Sequence, residues 1–534
     1  MSGLLHLLRL TQDAAGTARS EAQIATENLT GSRDPKYVKR TVDIEVDVVG
    51  GRLGGLRTGT PHRVIDEKII NAKRDQHSTV AFNEIKREFL ELFDDLNGAL
   101  DAKGSIDQKL LTLAQKAASL TVEAGSPILR GNTIESMKEF LTTIRSFANG
   151  INIQRNAVER DIMSSVKEVE ELSERLFRLN QEIASAAYSG QDLSNLESVR
   201  EDVVEKISTL MNVQILHSET NIFIYTSSGK ALVEYKAYPL TYTSNGIIDY
   251  SASYPANINP INLRNDAGVN VDVTTELTGG KIGAYLELRD RIYPQYQESI
   301  DHFTQMLQHH ANRIHNQGVG FPPPTELNGQ FFVTDATKNT SIPWKADSVV
   351  RLALVDAQGR FADSGGTFHL DLNLNPGGAG GLTPIEIRDA INTAFGAGTA
   401  TFSEGDYGYL TLSAPAGLRI ALGSVDGSTP GETTTDVGFS EYFKLNDLLR
   451  SSPDPAGRGV ANSITLHETV SLDASLFAIG KLNTRNDIAL AGSMEQMMGV
   501  TSGDGTNLSA LRELINSPVL IFAGAGGQHK QTLS

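Results

Sequence analysis

The stretch that decides the fold is TIESMKEFLTTIRSFANGINIQRNAVERDIMSSVKEVEELSERLFRLNQEI, residues 133–183. Apolar side chains recur along it about every 3.5 residues, the spacing of coiled coils, with one gap between Ile151 and Val158. The run contains no proline and few residues that favour a helix cap. It therefore predicts a long, continuous helix that lengthens the molecule.

Helical periodicity extends outward from this stretch to cover about Arg63 to Leu210. Beyond it the pattern alternates, which predicts short strands at Val213–Leu216 and Ile222–Tyr225. A helical pair is expected over Ile282–Ile314. Pro294 is predicted to be the first residue of its second helix, because the missing backbone N–H does little harm at that position.

A second apolar stripe follows the N-terminal segment in alternating three- and four-residue steps. It consists of leucines and small residues: Leu4, Leu7 or Leu8, Thr11, Ala14 or Ala15, Ala18, Ala22, Ala25 and Leu29. Small residues at such positions let two helices pack closely. A turn at 30–35, a short alternating strand at Val42–Val48 and a Gly-rich connector (Gly50, Gly51, Gly54 and Gly55) separate the stripe from the long helix. We therefore expect it to contact other subunits.

A β-rich segment follows the helices, beyond a boundary at Gly318–Pro324. Strands are expected at 348–355, 367–374, 409–413 and 418–422, with one helix at Pro384–Phe395. The predicted fold class is α+β, multidomain and elongated, with a long helical bundle or rod and a β-rich inserted outer domain. Its expected parts are residues 1–45 (heptad helix and linker), 46–325 (helical rod with a small β excursion at 213–275), 326–437 (outer domain) and 438–534 (return segment).

Composition narrows the classes of function. In 534 residues, 64 acidic and 47 basic side chains give a net charge of −17, and a negative chain is repelled by nucleic-acid backbones and anionic membranes. Cysteine is absent, which excludes disulfides, thiol catalysis and zinc–thiolate sites. We expect no cleaved signal peptide, because His6 and Arg9 interrupt the first apolar residues, and no apolar run is long enough to span a bilayer.

No pattern of catalytic or metal-binding residues emerges from the sequence. One predicted helix carries four histidines without the His-Glu-x-x-His spacing of a zinc site: His302, His309, His310 and His315. The loops Gly377–Gly381 and Gly524–Gly527 lack the lysine of a P-loop. The acidic run Glu168–Glu174 is typical of a solvated helix face. We therefore predict no enzyme, no cofactor and no metal site.

Several groups of residues occur in a distinctive order along nearly the whole chain. They are Asn28-Leu29 with Asp34–Arg40; Leu179–Ile183 with Asp192–Val204 and Ser228–Val233; Gly280–Asp290 with Pro294 and Ala311–Gly318; Gly438–Asp447; and Gly503–Leu508 with Leu511 and Leu514. In this order they resemble the motifs of the family of flagellar hook-associated protein 1, the hook–filament junction proteins.

The resemblance implies a structural subunit of the bacterial flagellum, an adaptor between hook and filament that is exported without a cleaved signal peptide. The partners it implies are further copies in a ring, hook protein, the second hook–filament junction protein, an export chaperone and the flagellar secretion apparatus. Nucleic acid and membrane insertion are not implied. We assign to the assembly interface Leu4, Leu7, Leu8, Ala15, Ala18, Ala22, Ala25, Asn28, Leu29, Pro35 and Tyr37.

Two features depart from the family pattern. Asp34 and Lys36 stand where the family's turn signature has threonine and glycine, so the exact turn before Tyr37 is open. Family members also continue with a C-terminal helix that pairs with the N-terminal one, and no such helix is predicted before Ser534. We therefore expect a fragment or a truncated product, in which residues 1–29 are mobile or self-associating in isolation.

Other functions fit parts of the pattern. Another axial protein, hook protein or a flagellin-like subunit, would also have a helical terminus and an outer domain. A secreted adhesin would use residues 330–436 as its binding module, but few aromatic side chains there offer a platform for a glycan: Trp344, Tyr407 and Tyr409. A catalytic insert is the third alternative, and neither a metal pattern nor a nucleophile pattern supports it.

Overall fold

A computed structural model of the chain describes residues 2–33, 38–49, 52–59, 61–64, 66–97, 104–189, 191–218, 220–363, 365–378, 380–425, 429–501 and 509–510. Helices and strands are mixed along these ranges, and a helical region precedes a strand-rich one. Within them, no helix combines the length and the apolar character needed to cross a bilayer.

The helices range in length from 4 to 62 residues. In chain order they are α1 (Ser2–Gly31), α2 (Glu67–Asn97), α3 (Ile106–Val122), α4 (Pro127–Tyr188), α5 (Ser194–Leu210), α6 (Gly280–Glu287), α7 (Tyr293–Asn316), α8 (Pro384–Phe395), α9 (Phe439–Phe443), α10 (Val460–Ser463), α11 (Glu468–Leu472) and α12 (Met494–Met497). Helices α2 to α5 confirm the helical prediction for Arg63–Leu210.

The strands are short and mostly antiparallel. They are β1 (Arg40–Thr41), β2 (Ile44–Val49), β3 (Arg52–Thr58), β4 (His62–Arg63), β5 (Val213–His217), β6 (Ile222–Thr226), β7 (Ala231–Val233), β8 (Leu240–Thr241), β9 (Asn262–Arg264), β10 (Asn270–Asp272), β11 (Glu326–Val333), β12 (Ser348–Val355), β13 (His369–Asn373), β14 (Ala400–Phe402), β15 (Gly408–Ser413), β16 (Arg419–Ser424), β17 (Thr429–Pro430), β18 (Leu449–Arg450), β19 (Thr465–Leu466), β20 (Lys481–Leu482) and β21 (Val500–Thr501).

The predicted long helix is α4, which has 62 residues. Every apolar residue of its stripe is buried, with at most 9% of its surface exposed: Ile134, Met137, Leu141, Ile144, Phe147, Ile151, Val158, Ile162, Val166, Val169, Leu172, Leu176, Leu179 and Ile183. The gap in the stripe is occupied by Arg155, which is 3% exposed. The stripe is therefore continuous in space, with one buried cation among aliphatic side chains.

The chain divides into two compact units, Met1–Phe93 with Asn152–Pro294, and Asp94–Ile151 with Gln295–Ser534. In the first unit, the hairpin β2–β3 lies beside α1. The antiparallel sheets β5–β6–β7 and β8–β9–β10 follow α5, and β5 and β6 confirm the strands predicted at 213–216 and 222–225. The four-part division, with boundaries near residues 45, 325 and 437, stays a prediction, as does the elongated shape.

The second unit contains the β-rich segment, where two antiparallel sheets, β11–β15–β14 and β13–β12–β16, contribute to one apolar core with α8. Strand β12 is buried on both faces, because its even-numbered residues from Val350 to Leu354 enter this core while Ala353 and Val355 enter a second one. A capping box between Thr383 and Glu386 starts α8.

Two local predictions from the sequence are wrong. Pro294 does not begin a second helix after a break, because a π-helical turn at Leu288–Ile292 joins α6 to α7 and places Pro294 in the first turn of α7. The Gly-rich connector contains a strand, since Gly54 and Gly55 lie within β3. Gly55 is buried, and a Cβ there would lie 2.9 Å from Asp13 Oδ2 of α1. The glycine thus allows close contact between hairpin and helix.

Candidate assembly face on the N-terminal helix

Helix α1 has two different faces. The face that contacts β1 and β3 carries its buried and half-buried side chains, which are Leu10, Asp13, Thr17, Ser20, Ile24 and Glu27. Successive residues of an α-helix are about 100° apart around the axis. The stripe predicted from the sequence therefore lies on roughly the opposite side of the helix, away from the hairpin.

The predicted stripe is exposed to solvent. Leu7 is 67%, Leu8 63% and Leu29 75% exposed, and the four alanines of the assigned interface are exposed as well: Ala15, Ala18, Ala22 and Ala25. The side chain of Leu4, and the whole of Pro35 and Tyr37, lie outside the described residues. The structure thus places the described leucines and alanines of the assigned set on one side of α1. We name these seven residues the N-terminal stripe.

Asn28 has a different role from the rest of the assigned set. It is half-buried, its side-chain amide donates to the Arg40 carbonyl at 2.9 Å, and its side-chain oxygen accepts from the Arg40 N–H at 2.8 Å. Two hydrogen bonds to one backbone residue act as a clamp that fixes the end of α1 to β1. Asn28 therefore positions the helix that bears the stripe.

The chemistry of the N-terminal stripe suits another helix. A row of alanines between leucines allows close approach of helix backbones. Arg19 and Glu21 are exposed and border the stripe on its two sides, in the positions where charged side chains select a partner helix in coiled coils. This face is therefore suited to binding another helix, with the apolar side chains forming the contact and the charged side chains at its edges selecting the partner.

The histidines of α7 lie in different environments. His302 and His309 are exposed, whereas His315 is 3% exposed. The Nδ1 of His315 donates to the Asn446 carbonyl at 2.7 Å and its Nε2 accepts from the Ala478 N–H at 2.9 Å. Burial lowers the pKa of His315 to about 4, so this ring is a neutral structural element.

The acidic run of α4 and the possible metal ligands can also be compared with the structure. Glu168, Glu171 and Glu174 are exposed on the polar side of α4, which confirms that the acidic run is a solvated helix face. Among the described residues, no group of three or more histidine, aspartate or glutamate side chains has an arrangement that could hold a metal ion.

Sequence reasoning missed a buried ionic network in the first unit. Arg289 is 0% and Glu159 1% exposed. The Nη1 of Arg289 donates to Glu159 Oε2 at 2.9 Å and to the Tyr242 hydroxyl at 2.8 Å, and that hydroxyl donates to Glu159 Oε1 at 2.6 Å. Asp290, in the same π-helical turn as Arg289, accepts a bidentate pair from it, both distances being 2.8 Å.

Arg155, the residue in the gap of the α4 stripe, completes this network. Its guanidinium donates to the carbonyls of Arg289, Asp249 and Ala252 at 2.9, 3.1 and 2.6 Å. Burial and the hydrogen bond to Glu159 raise the pKa of Tyr242, which holds the phenol neutral. Every member bonds to protein groups, so the network fixes the packing of α4. The sequence did contain a sign of this network, because Arg155 is a charged residue at a position where the apolar stripe would continue.

A cleft in the described part of the second unit has a volume of about 950 Å³. Three cations and three carboxylates lie along it: Arg313, Lys481, Arg485, Glu432, Glu441 and Glu495. The described residues that line it include no histidine. Cations and carboxylates are therefore present in equal numbers along this cleft.

Residues 90–332 match the family model described as the flagellar hook-associated protein FlgK helical domain. This match confirms the resemblance to hook-associated proteins for that part of the chain. The structure of the flagellar hook junction protein FlgK from Burkholderia pseudomallei is similar at 16% identity and a TM-score of 0.44, over 78% of this chain and 66% of that one. Because this similarity is low, the function has to be inferred from this chain's own residues. No curated protein sequence matches this one.

Proposed function

We propose that this chain, whose residues 90–332 carry the FlgK-family helical domain, is a structural subunit of a bacterial flagellum that acts as an adaptor between hook and filament. The family match is the observation that supports this function most directly. The domain contains α4, whose buried stripe and ionic network make a packed helical scaffold. A packed helical scaffold suits a subunit that takes its place in a larger assembly.

Assembly is proposed to occur through the N-terminal stripe. An exposed row of leucines and alanines gains free energy when another helix covers it, at roughly 25 cal/mol for each Å² removed from water. In a closed ring each copy forms the same contact, so modest contacts add up to a stable structure. The occupant is proposed to be a helix of a neighbouring subunit, from another copy, from hook protein or from the second junction protein.

Export to the flagellum, assisted by a chaperone and without a cleaved signal peptide, belongs to the same proposal. In that setting the subunit travels unassembled and the stripe remains uncovered until it reaches the growing structure. Leu7, Leu8 and Leu29 are exposed in the single chain and would be available to a partner at that stage.

The proposal is tested by replacing the gene in the bacterium that encodes the chain. Deletion is expected to leave hooks without attached filaments, and the wild-type gene to restore them. Ala18→Arg places a charge in the centre of the stripe and is expected to prevent rescue. Gln23→Arg adds the same charge to α1 outside the stripe and is expected to rescue like wild type.

Secreted protein is measured in each strain, so that failure of export is distinguished from failure of assembly. A deletion strain that keeps filaments firmly attached to its hooks contradicts the adaptor function. Rescue by Ala18→Arg at wild-type levels contradicts the assignment of the stripe but leaves the adaptor function standing.

A further inference from the structure

An aromatic cluster lies on the outer face of the sheet β11–β15–β14 in the second unit. Phe332 of β11 and Tyr409 of β15 are cross-strand partners, each 43% exposed, with ring centroids 5.1 Å apart in an edge-to-face arrangement. Tyr407 adds a third ring, 6.4 Å from Phe332. Trp344 is 1% exposed and belongs to the core, so the tryptophan weighed as a platform in the sequence is not one.

The position of Phe332 depends on a β-bulge. The register of β11 against β15 shifts between Asn328, which is opposite Thr411, and Phe332, which is opposite Tyr409. Gly329 begins the bulge, and a Cβ there would lie 2.7 Å from the Leu410 carbonyl oxygen and 2.8 Å from that of Phe443. Phe331 contacts Tyr442 beside the core, whereas Phe332 is exposed on the same side of the strand as Asn328. The bulge sets the register, so that Tyr409 is the residue opposite Phe332.

Uncharged polar side chains continue the same face from the aromatic cluster. Asn328 and Thr401 are exposed and Thr411 is half-buried, and the Thr411 hydroxyl donates to Asn328 Oδ1 at 3.0 Å. Two cations near the cluster have carboxylate partners, since Arg388 bonds to Asp406 and Lys338 bonds to Asp335 at 2.8 Å. The face offers rings, hydroxyls and an amide, with the exposed carboxylate Glu326, opposite Ser413, at its end.

We propose that this face, formed by Phe332, Tyr407, Tyr409, Asn328 and Thr411, binds a neutral hexose-based glycan. The electron-rich faces of aromatic rings attract the weakly positive C–H groups on the flat side of a pyranose ring. The neighbouring amide and hydroxyls match the sugar's hydroxyl groups as donors and acceptors.

The size of the aromatic cluster favours a glycan over a protein partner. With at most about 250 Å² for each ring, Phe332 and Tyr409 together expose on the order of 200 Å². A stable protein–protein interface buries about 800 Å² on each partner. A few sugar rings cover an area of the smaller size, whereas a second copy of this chain would need a much wider apolar surface.

The experiment titrates the full chain with maltohexaose, cellohexaose and chitohexaose, and follows ligand resonances by saturation-transfer NMR. At least one of the three is expected to bind. Tyr409→Ala and Phe332→Ala are each expected to weaken that binding about tenfold or more, since truncating an aromatic anchor removes most of a contact's affinity. Tyr409→Phe keeps the aromatic ring and is expected to retain the sugar binding of wild type.

The matched control is Tyr235→Ala, because Tyr235 is 80% exposed in the first unit and is not part of the face. It is expected to bind like wild type. Buried Trp344 reports the folding of the second unit in every variant through its fluorescence. Three outcomes overturn the proposal: no binding of any neutral oligosaccharide, equal binding by Tyr409→Ala and wild type, or a change in oligomeric state of Tyr409→Ala without sugar binding. Binding of polygalacturonate alone, a polyanion, overturns it too.

Discussion

Arg289 shows what a single buried charge requires of its surroundings. It has no exposed surface, and its guanidinium contacts Glu159, Tyr242 and Asp290. Breaking such a pair leaves an uncompensated charge in the interior, which is far more costly than losing a surface pair. The network thus makes the structure of the first unit depend on a few polar side chains.

Glu159→Ala is expected to destabilise the first unit by about 3 kcal/mol, because Arg289 and Tyr242 lose their shared acceptor. The control is Glu171→Ala, which removes an exposed partner of Lys167 on the same helix and should cost less than about 1 kcal/mol. Urea unfolding followed by circular dichroism measures both. Equal losses of free energy in the two variants would contradict the role assigned to the network.

His315 gives the second unit a pH-dependent stability. Its pKa is about 4 in the folded chain and about 6.5 when unfolded. Between these values the unfolded state binds a proton that the folded state does not. The stabilisation is therefore complete above about pH 6.5 and is lost as the pH falls towards 4, by about 3 kcal/mol in total.

Urea midpoints measured between pH 7 and pH 4.5 test this dependence. His315→Gln removes the titrating ring, so its midpoint should fall less steeply with decreasing pH than that of wild type. His302→Gln, which alters an exposed histidine of α7, should keep the wild-type slope. A wild-type slope in His315→Gln would show that the ring is not buried in its neutral form.

At the scale of elements, α1 combines a fixed face with a free one. The hairpin β2–β3 and the Asn28 clamp hold one side, and the N-terminal stripe faces solvent. Asn28→Ala removes both hydrogen bonds and is expected to speed amide exchange in β1 and the last turns of α1 by about 5–30-fold, equivalent to 1–2 kcal/mol. Gln12→Ala, on the exposed surface of α1, serves as control. Unchanged exchange in β1 of Asn28→Ala would rule out the clamp.

The sequence predicts some elements far better than others. The α4 stripe, strand β12 and helix α8 agree with prediction because each has a clear local signal. Helix α4 has a strong period, β12 is a short run rich in apolar residues, and α8 has a capping box. Helix α2 differs. Its apolar residues Ile69 and Val80 are 66% and 43% exposed, while Arg74 is 5% exposed and bonds to Glu201. A prediction from periodicity uses only the positions of apolar residues. It therefore cannot identify a helix face that is buried because of an ion pair, as in α2.

The candidate site was also predictable only in part, because some of its features are periodic in the sequence and others are not. The N-terminal stripe is a periodic feature, so its residues were found. The glycine-rich connector lacks the alternating apolar pattern of a strand, so β3, which contacts the other side of α1, was not predicted. The aromatic face of β11 and β15 was missed because a bulge sets its register. Alternation along β11 explains why Phe332 is exposed, but only the bulge makes Tyr409 its cross-strand partner.

At the scale of the whole molecule, an elongated shape remains our proposal, motivated by the 62 residues of α4. A compact chain of 534 residues would have a radius of gyration of about 24 Å. Small-angle X-ray scattering of the monomer should give a clearly larger value, and a value near 24 Å would contradict the proposal.

The account as a whole claims a subunit that occupies one short zone of the flagellum. The similarity of residues 90–332 to the FlgK helical domain and the exposed stripe of α1 support that claim. A filament or hook subunit would instead be distributed along the structure, and an adhesin over the cell surface. The location of the protein therefore separates the three functions.

Immunogold labelling of intact flagella, isolated from the bacterium that encodes the chain, measures that location with antibodies raised against residues 326–437. The account predicts gold particles confined to the boundary between hook and filament, and none on flagella from the deletion strain. Labelling along the length of the hook or filament, or on the cell body alone, would contradict it.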